Sequence, residues 1–139
     1  MKVGFTGTRQ GFTEPQSNAF ANLMRNAESV SEFHHGSCKG ADIQAAYRLP
    51  RRIKRVAHPG TDANGENPHY ARDEKATILE PKPYLVRNHD IVDATQVLIA
   101  CPAGMKEELR SGTWATVRYA RKQGKAITII YPDGRIEIR

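Results

Sequence analysis

At 139 residues the chain is long enough for one domain around one core and no more. Apolar residues at 39% and charged residues at 26% exclude an intrinsically disordered chain. The formal net charge of +6 favours an anionic partner, and two cysteines without CxxC spacing argue against a disulfide framework, a zinc site or a redox motif.

The first ten residues hold one lysine and a short apolar run, with neither a secretory leader nor a membrane span, so cytoplasmic residence is expected. Residues 2–6 read as a β-strand that stops at the glycine-flanked loop Gly7-Thr-Arg-Gln-Gly11. Thr13-Glu-Pro-Gln16 then has the form of a capping box, with Thr13 as N-cap and Gln16 reaching back, and Phe20, Leu23, Met24 and Ala27 recur at helical spacing. Residues 31–35 give a second strand, broken by Gly36-Ser-Cys-Lys-Gly-Ala-Asp42, and Ala41, Ile43, Ala46 and Tyr47 mark a second amphipathic helix.

Residues 52–58 read as a third strand, entered through the basic cluster Pro50-Arg-Arg-Ile-Lys-Arg55, which is taken as a solvated strand edge rather than a nucleic-acid footprint. The polar residues 61–70 have the composition of a lid or binding loop. Residues 84–94 form a helix with Arg87, Asn88 and Asp90 on a polar face. It leads into 96–101, the clearest buried strand in the chain. A helix over 112–122, a strand over 126–131, a turn at 132–134 and a small edge strand at 135–139 complete the series. Strands alternating with helices predict an α/β, Rossmann-like three-layer sandwich in a single domain over 1–139, with a mostly parallel sheet of about five strands and helices on both faces.

Three glycine-containing loops follow predicted strands, and in open parallel sheets such loops gather at the carboxyl ends of the strands, where ligands bind. Glycine admits close approach of backbone N–H groups to a phosphate, and a helix N-terminus adds partial positive charge. The candidate ligand contacts are therefore Gly7, Thr8 and Arg9 from the first loop, Gly36, Ser37, Gly40 and Asp42 from the second, and Gly112 and Thr113 from the third. Neither GxxxxGK[ST] nor GxGxxG occurs, which disfavours an ATP hydrolase or an ordinary dehydrogenase. Arg9 supplies a planar cation for phosphate or base, with a salt bridge to a neighbouring loop as the alternative. Thr113 is expected to cap its helix, and Trp114 either stacks on a base or packs in the core. His34 and His35, adjacent on a strand, face opposite ways and cannot share a metal ion. No metal or cofactor is expected, and His58, ending a strand on the same rim, is a candidate for hydrogen bonding to ligand.

The run from Tyr84-Leu-Val-Arg-Asn-His-Asp to Val97-Leu-Ile-Ala100, then Pro102 and Ser111-Gly-Thr-Trp-Ala-Thr116, together with Gly7-Thr-Arg9 and His35 to Asp42, resembles the SLOG superfamily. That group takes in the LONELY GUY phosphoribohydrolases, the DNA-processing protein A core and nucleotide-sensing domains of bacterial defence proteins. The resemblance implies a Rossmann-like fold that binds nucleotides or their ribosyl derivatives, often as a homodimer or higher homo-oligomer. It adds Arg87, matched to an arginine that faces the ligand, and its neighbour Asn88 to the candidate contacts. The LONELY GUY motif PGGxGTxxE is incomplete here: Gly112-Thr113 matches its GT, but Thr116 stands where the glutamate would be. Glu107 and Glu108 are the replacement carboxylates for a catalytic role, against the alternative of a solvated charged loop. The leading expectation is thus binding of a phosphate-bearing nucleotide or derivative, for sensing or sequestration. A nucleoside 5′-monophosphate phosphoribohydrolase comes second and single-stranded DNA binding third, the last weakened by an aromatic content of 7%.

Overall fold

Side chains alternate across each strand, and the alternation sorts the apolar residues into two cores on opposite faces of one sheet. The computed structural model describes residues 1–139. In chain order it runs β1 (Lys2–Gly7), α1 (Glu14–Arg25), β2 (Glu32–His35), α2 (Ala41–Tyr47), β3 (Lys54–Ala57), β4 (Gly60–Thr61), β5 (Thr77–Ile78), β6 (Lys82–Pro83), α3 (Tyr84–Asp93), β7 (Val97–Cys101), α4 (Gly112–Lys122), β8 (Ala126–Ile130) and β9 (Ile136–Ile138). No helix is long and apolar enough to cross a membrane.

The main sheet has seven strands in the order β5-β3-β2-β1-β7-β8-β9, all parallel except the β8–β9 pair. The five long strands and the short edge strand β9 are those read from the sequence, and the two-residue β5 extends the other edge. From β1 the chain steps one way to β2 and β3, then returns across the sheet to β7 and steps the other way to β8. Right-handed crossovers in opposite directions place their helices on opposite faces. Accordingly α1 and α2 cover Val3, Phe5, Phe33 and Ile99, while α3 and α4 cover Leu98, Ala100, Ile127 and Ile129. Burying each such large side chain contributes roughly 1.5–3 kcal/mol.

Helix α1 begins as its sequence dictates. The Gln16 N–H donates to Thr13 Oγ1 at 3.2 Å and the Thr13 N–H donates to Gln16 Oε1 at 3.3 Å, a complete capping box. Gln16 is itself buried, and its Nε2 reaches across to donate to the carbonyls of Pro102 and Ile130 at 3.0 and 2.8 Å. The helix start is thereby tied to the carboxyl ends of β7 and β8.

Candidate ligand-binding cleft

Strand order reverses between β1 and β7, and the loops that leave these strands part company, one rising to each face. A crevice opens at such a point. Here it is a cleft of about 510 Å³, walled by the β1–α1, β2–α2 and β7–α4 loops and by the first turns of α3 and α4.

Thr8 stitches the rim together. Its N–H donates to the Cys101 carbonyl at 3.0 Å, and its own carbonyl accepts from the N–H groups of Gly11 and Ala41 at 3.2 and 2.9 Å. The end of β7, the first loop and the start of α2 are thus held to one residue. Gly40 makes this approach possible: its φ is +89°, and a Cβ there would collide with the Arg9 carbonyl.

Arg87 forms the floor. Its Nη1 donates to the carbonyls of Gly36 and His58 at 2.6 and 3.1 Å, its Nε donates to Asn88 Oδ1 at 2.7 Å, and both terminal nitrogens lie near Cys38 Sγ. The guanidinium makes no salt bridge although the residue is only 5% exposed. Beside it Asp42 accepts from the Gly36 N–H at 3.0 Å. Burial pushes the Asp42 carboxyl above its ordinary pKa against the opposing pull of His35 and Arg87, and burial likewise raises the Cys38 thiol.

Over this floor stand groups with nothing to pair with. Arg9 and Arg110 line the cleft and make no salt bridge, and the Arg9 guanidinium lies 5.6 Å over the Tyr84 ring. Ser111 caps α4 by accepting from the Trp114 N–H at 3.2 Å. The N–H groups of Gly112 and Thr113 keep no acceptor within the chain, as the first turn of a helix leaves them. The lining therefore carries three arginines against Asp42 and Glu108.

Of the residues expected from sequence, Gly7, Thr8, Arg9, Gly36 and Asp42 line the cleft, as do Arg87, Asn88, Glu108, Gly112 and Thr113. Several others do not. Ser37 is fully buried with φ of +52° and turns away from the lining, and Gly40 acts through backbone packing alone. Glu107 is drawn off by Arg118 at 3.0 Å and Arg121 at 3.8 Å. His58 faces the other way, with Nε2 2.8 Å from His34 Nδ1, and burial with the neighbouring His34 lowers its pKa to about 4.

The cap of α4 is Ser111 and not Thr113, because only the residue preceding the helix has an oxygen in reach of the third N–H. Trp114 is 2% exposed and packs into the α3–α4 core, and Thr116 turns its hydroxyl back on the Gly112 carbonyl at 2.9 Å. None of residues 61–70 lines the cleft. Lys39 N–H to His69 O at 2.8 Å, Ala71 N–H to Ser37 O at 2.9 Å and Tyr84 Oη–H to Asn67 Oδ1 at 2.9 Å pin the segment to the second loop and α3.

Sequence reasoning missed Tyr84, Cys38 and Arg110 as parts of the cleft. Arg110 stands one residue ahead of a helix-capping serine, the position from which a cation reaches a helix N-terminal anion, and that signal was available. Tyr84 and Cys38 carried none, since their place depends on where α3 crosses the second loop.

No family model matches the chain, and no curated protein sequence matches it. Solved structures do. A molybdenum cofactor binding protein from the phototrophic bacterium Rippkaea orientalis superposes with a TM-score of 0.60 at 18% identity, over 94% of this chain and 76% of its own. DNA processing protein A from Helicobacter pylori, a protein with a single-stranded DNA binding mode, superposes with a TM-score of 0.60 at 17% identity, over 93% of this chain and 64% of its own. The chain shares the fold of these two proteins. At these identities the likeness is one of fold, and this chain spans less than two thirds of the Helicobacter protein. Within this fold the cleft occupies the switch point of the sheet, and its chemistry has to be argued from the side chains present.

Proposed function

We propose that the cleft binds a phosphate-bearing nucleotide or nucleotide derivative, so that the protein senses or sequesters it. One observation carries the reading: Arg9, Arg110 and the N–H groups of Gly112 and Thr113 line a single cleft and have no salt-bridge or hydrogen-bond partner in the chain. Cations left unpaired beside a helix N-terminus form a site for an anion, and a phosphate satisfies donor and charge together. Tyr84 offers a flat ring beside them. The two structural neighbours bind different ligands, a molybdenum cofactor and single-stranded DNA, which supports a ligand-binding rim without choosing its occupant.

Thermal melts with nucleosides and their 5′-monophosphates test the reading. The monophosphates are expected to raise Tm and the nucleosides to do so far less, because binding to the folded state alone adds RT ln(1 + [L]/Kd). If no phosphate-bearing nucleotide moves Tm at millimolar concentration, the proposal fails.

Glu108 favours a second reading, phosphoribohydrolysis, since it is the one exposed carboxylate in the lining. Asp42, buried and bonded to Gly36, is occupied in holding the loop. Release of free base from a nucleoside 5′-monophosphate, lost in Glu108→Gln, is what this reading requires.

A further inference from the structure

A second concavity, of about 560 Å³, lies at the amino ends of β3 and β5, the opposite end of the sheet from the cleft, and shares no residue with it. Leu49 and Ile53 make an apolar floor, and Tyr47, at the end of α2, stands over it with its side chain exposed. The remaining lining residues are Arg51, Lys54, Arg55 and Lys75, and no carboxylate is among them.

The four cations divide into two kinds. Arg55 is fixed: its Nε and Nη2 donate to the buried Asp73 carboxylate at 2.9 and 2.5 Å, and the guanidinium lies 5.2 Å from the centroid of the Tyr47 ring. Arg51, Lys54 and Lys75 make no salt bridge and no side-chain hydrogen bond within the chain. Nearby carboxylates are already engaged, Asp73 by Arg55 and His35, Glu32 by His34 and Lys2. An exposed ring held against a locked guanidinium, beside cations free of any salt bridge, combines a stacking platform with an electrostatic groove.

We propose that this concavity binds single-stranded nucleic acid, with a base stacked on Tyr47 and successive phosphates on Arg51, Lys54 and Lys75. An unpaired strand fits because it can turn a base into a recess of this size, which a duplex cannot do without breaking its stack. The basic run at residues 50–55 is then more than a solvated strand edge. This site stands independently of the proposal for the cleft.

Fluorescence anisotropy with a labelled oligothymidylate, titrated at several salt concentrations, tests it. Binding is expected to weaken with salt, and Lys54→Glu/Lys75→Glu is expected to weaken it by about tenfold or more, flattening the slope of log K against log salt by about 0.7 for each phosphate no longer neutralised. Tyr47→Ala should cost roughly fivefold or more while Tyr47→Phe keeps most of the affinity, since stacking needs the ring and not the hydroxyl. Thermal melts confirm that each variant is folded. Three results overturn the site: no binding at low salt; binding that survives the double charge reversal but disappears in Arg9→Ala/Arg110→Ala; or equal affinity for duplex of the same length with Tyr47→Ala neutral. The effect of nucleoside monophosphates on Tm should be the same in Lys54→Glu/Lys75→Glu as in the parent chain, which separates this site from the cleft.

Discussion

The Arg87 guanidinium lies so close to Gly36 that a Cβ on that glycine would sit 2.5 Å from Nη1, and 2.7 Å from Asp42 Oδ2 on the other side. The loop after β2 is therefore clamped between a buried cation and a buried carboxyl, and no side chain fits in the clamp. Gly36→Ala must displace one of them. It is expected to destabilise the fold by about 1–3 kcal/mol, as overpacking does. Arg87→Ala removes the donors to two buried carbonyls as well as the packing of the arginine stem, and is expected to cost about 2–4 kcal/mol. Arg87→Lys should recover little, since a single ammonium cannot reproduce the fork that meets Gly36, His58 and Asn88. Urea denaturation of the three variants measures all three effects.

Arg9 and Arg110 should behave in the opposite way. Neither carries a salt bridge, and both are exposed, so Arg9→Ala and Arg110→Ala are expected to change stability by no more than about 0.5 kcal/mol. Their effect belongs to ligand: calorimetric titration with a nucleoside monophosphate should show affinity reduced by about tenfold for each variant, the size of one missing charge-assisted hydrogen bond. Unaltered affinity in both would remove these arginines from the phosphate site.

The contrast between these arginines shows what a sequence can and cannot display. Strands β1, β7 and β8 were legible because apolar runs bounded by glycine or proline leave few alternatives, and the order of elements then dictated a parallel sheet with loops gathered at one rim. The capping box at Thr13 was legible because both its bonds are local. Strand β5 was not, because two residues carry no period and pair with β3 only after the chain has folded. His58 was misread for a related reason: a strand end fixes which rim a side chain stands on, but its direction was decided by His34 on the neighbouring strand. Arg9 and Arg87 look alike in sequence, and only the path of α3 past the second loop makes one of them a floor and the other a free hand.

The His34–His58 pair sets a pH dependence. Glu32 Oε1 lies 2.9 Å from His34 Nε2, while His58 faces His34 with Asp90, His35 and Arg87 in its surroundings, and burial followed by His34 lowers its pKa from 6.5 to about 4. Between these values the unfolded chain binds a proton at this histidine that the native chain refuses, so stability is full above pH 6.5 and falls as the pH drops toward 4. The loss amounts to roughly 3 kcal/mol at its limit. Thermal melts from pH 7.5 to 4.5 should show Tm falling through this window, and His58→Gln should flatten the fall. An unchanged slope in the variant would place the titration elsewhere.

Asp73 extends the acid sensitivity to lower pH. Burial alone would raise its carboxyl, but hydrogen bonds from His35 and Arg55 overcome that and hold it well below the usual carboxylate range. Its contribution is present above the unfolded value of 3.8 and is lost as pH falls through that region toward the native value. Asp73→Asn keeps the shape, removes the charge, and leaves Arg55 in a site with 11% side-chain exposure and no anion. The expected cost at pH 7 is about 3–5 kcal/mol, the penalty for breaking a buried pair from one side. It should shrink as the comparison is repeated below pH 4, where the unfolded parent chain takes up a proton at Asp73 that the native carboxylate still refuses.

Gln16 couples the folding of α1 to the shape of the cleft. Its Oε1 completes the capping box with the Thr13 N–H, and its Nε2 serves the carbonyls of Pro102 and Ile130, all at a residue only 1% exposed. Glutamate keeps the cap but has no proton to give those carbonyls and brings a charge into the core, so Gln16→Glu is expected to be worse than Gln16→Ala even though it is the better N3 residue in an isolated helix. Alanine should cost about 2–4 kcal/mol, for one missing cap bond and two buried acceptors left open. Pro102 begins the loop that carries Arg110 and Ser111, so the loss should reach beyond stability. Amide hydrogen exchange in Gln16→Ala is expected to rise over residues 102–112 as well as at the start of α1, while α2 and β2 keep the parent rates. Protection lost only in α1 would mean that the link to the cleft wall carries no mechanical weight.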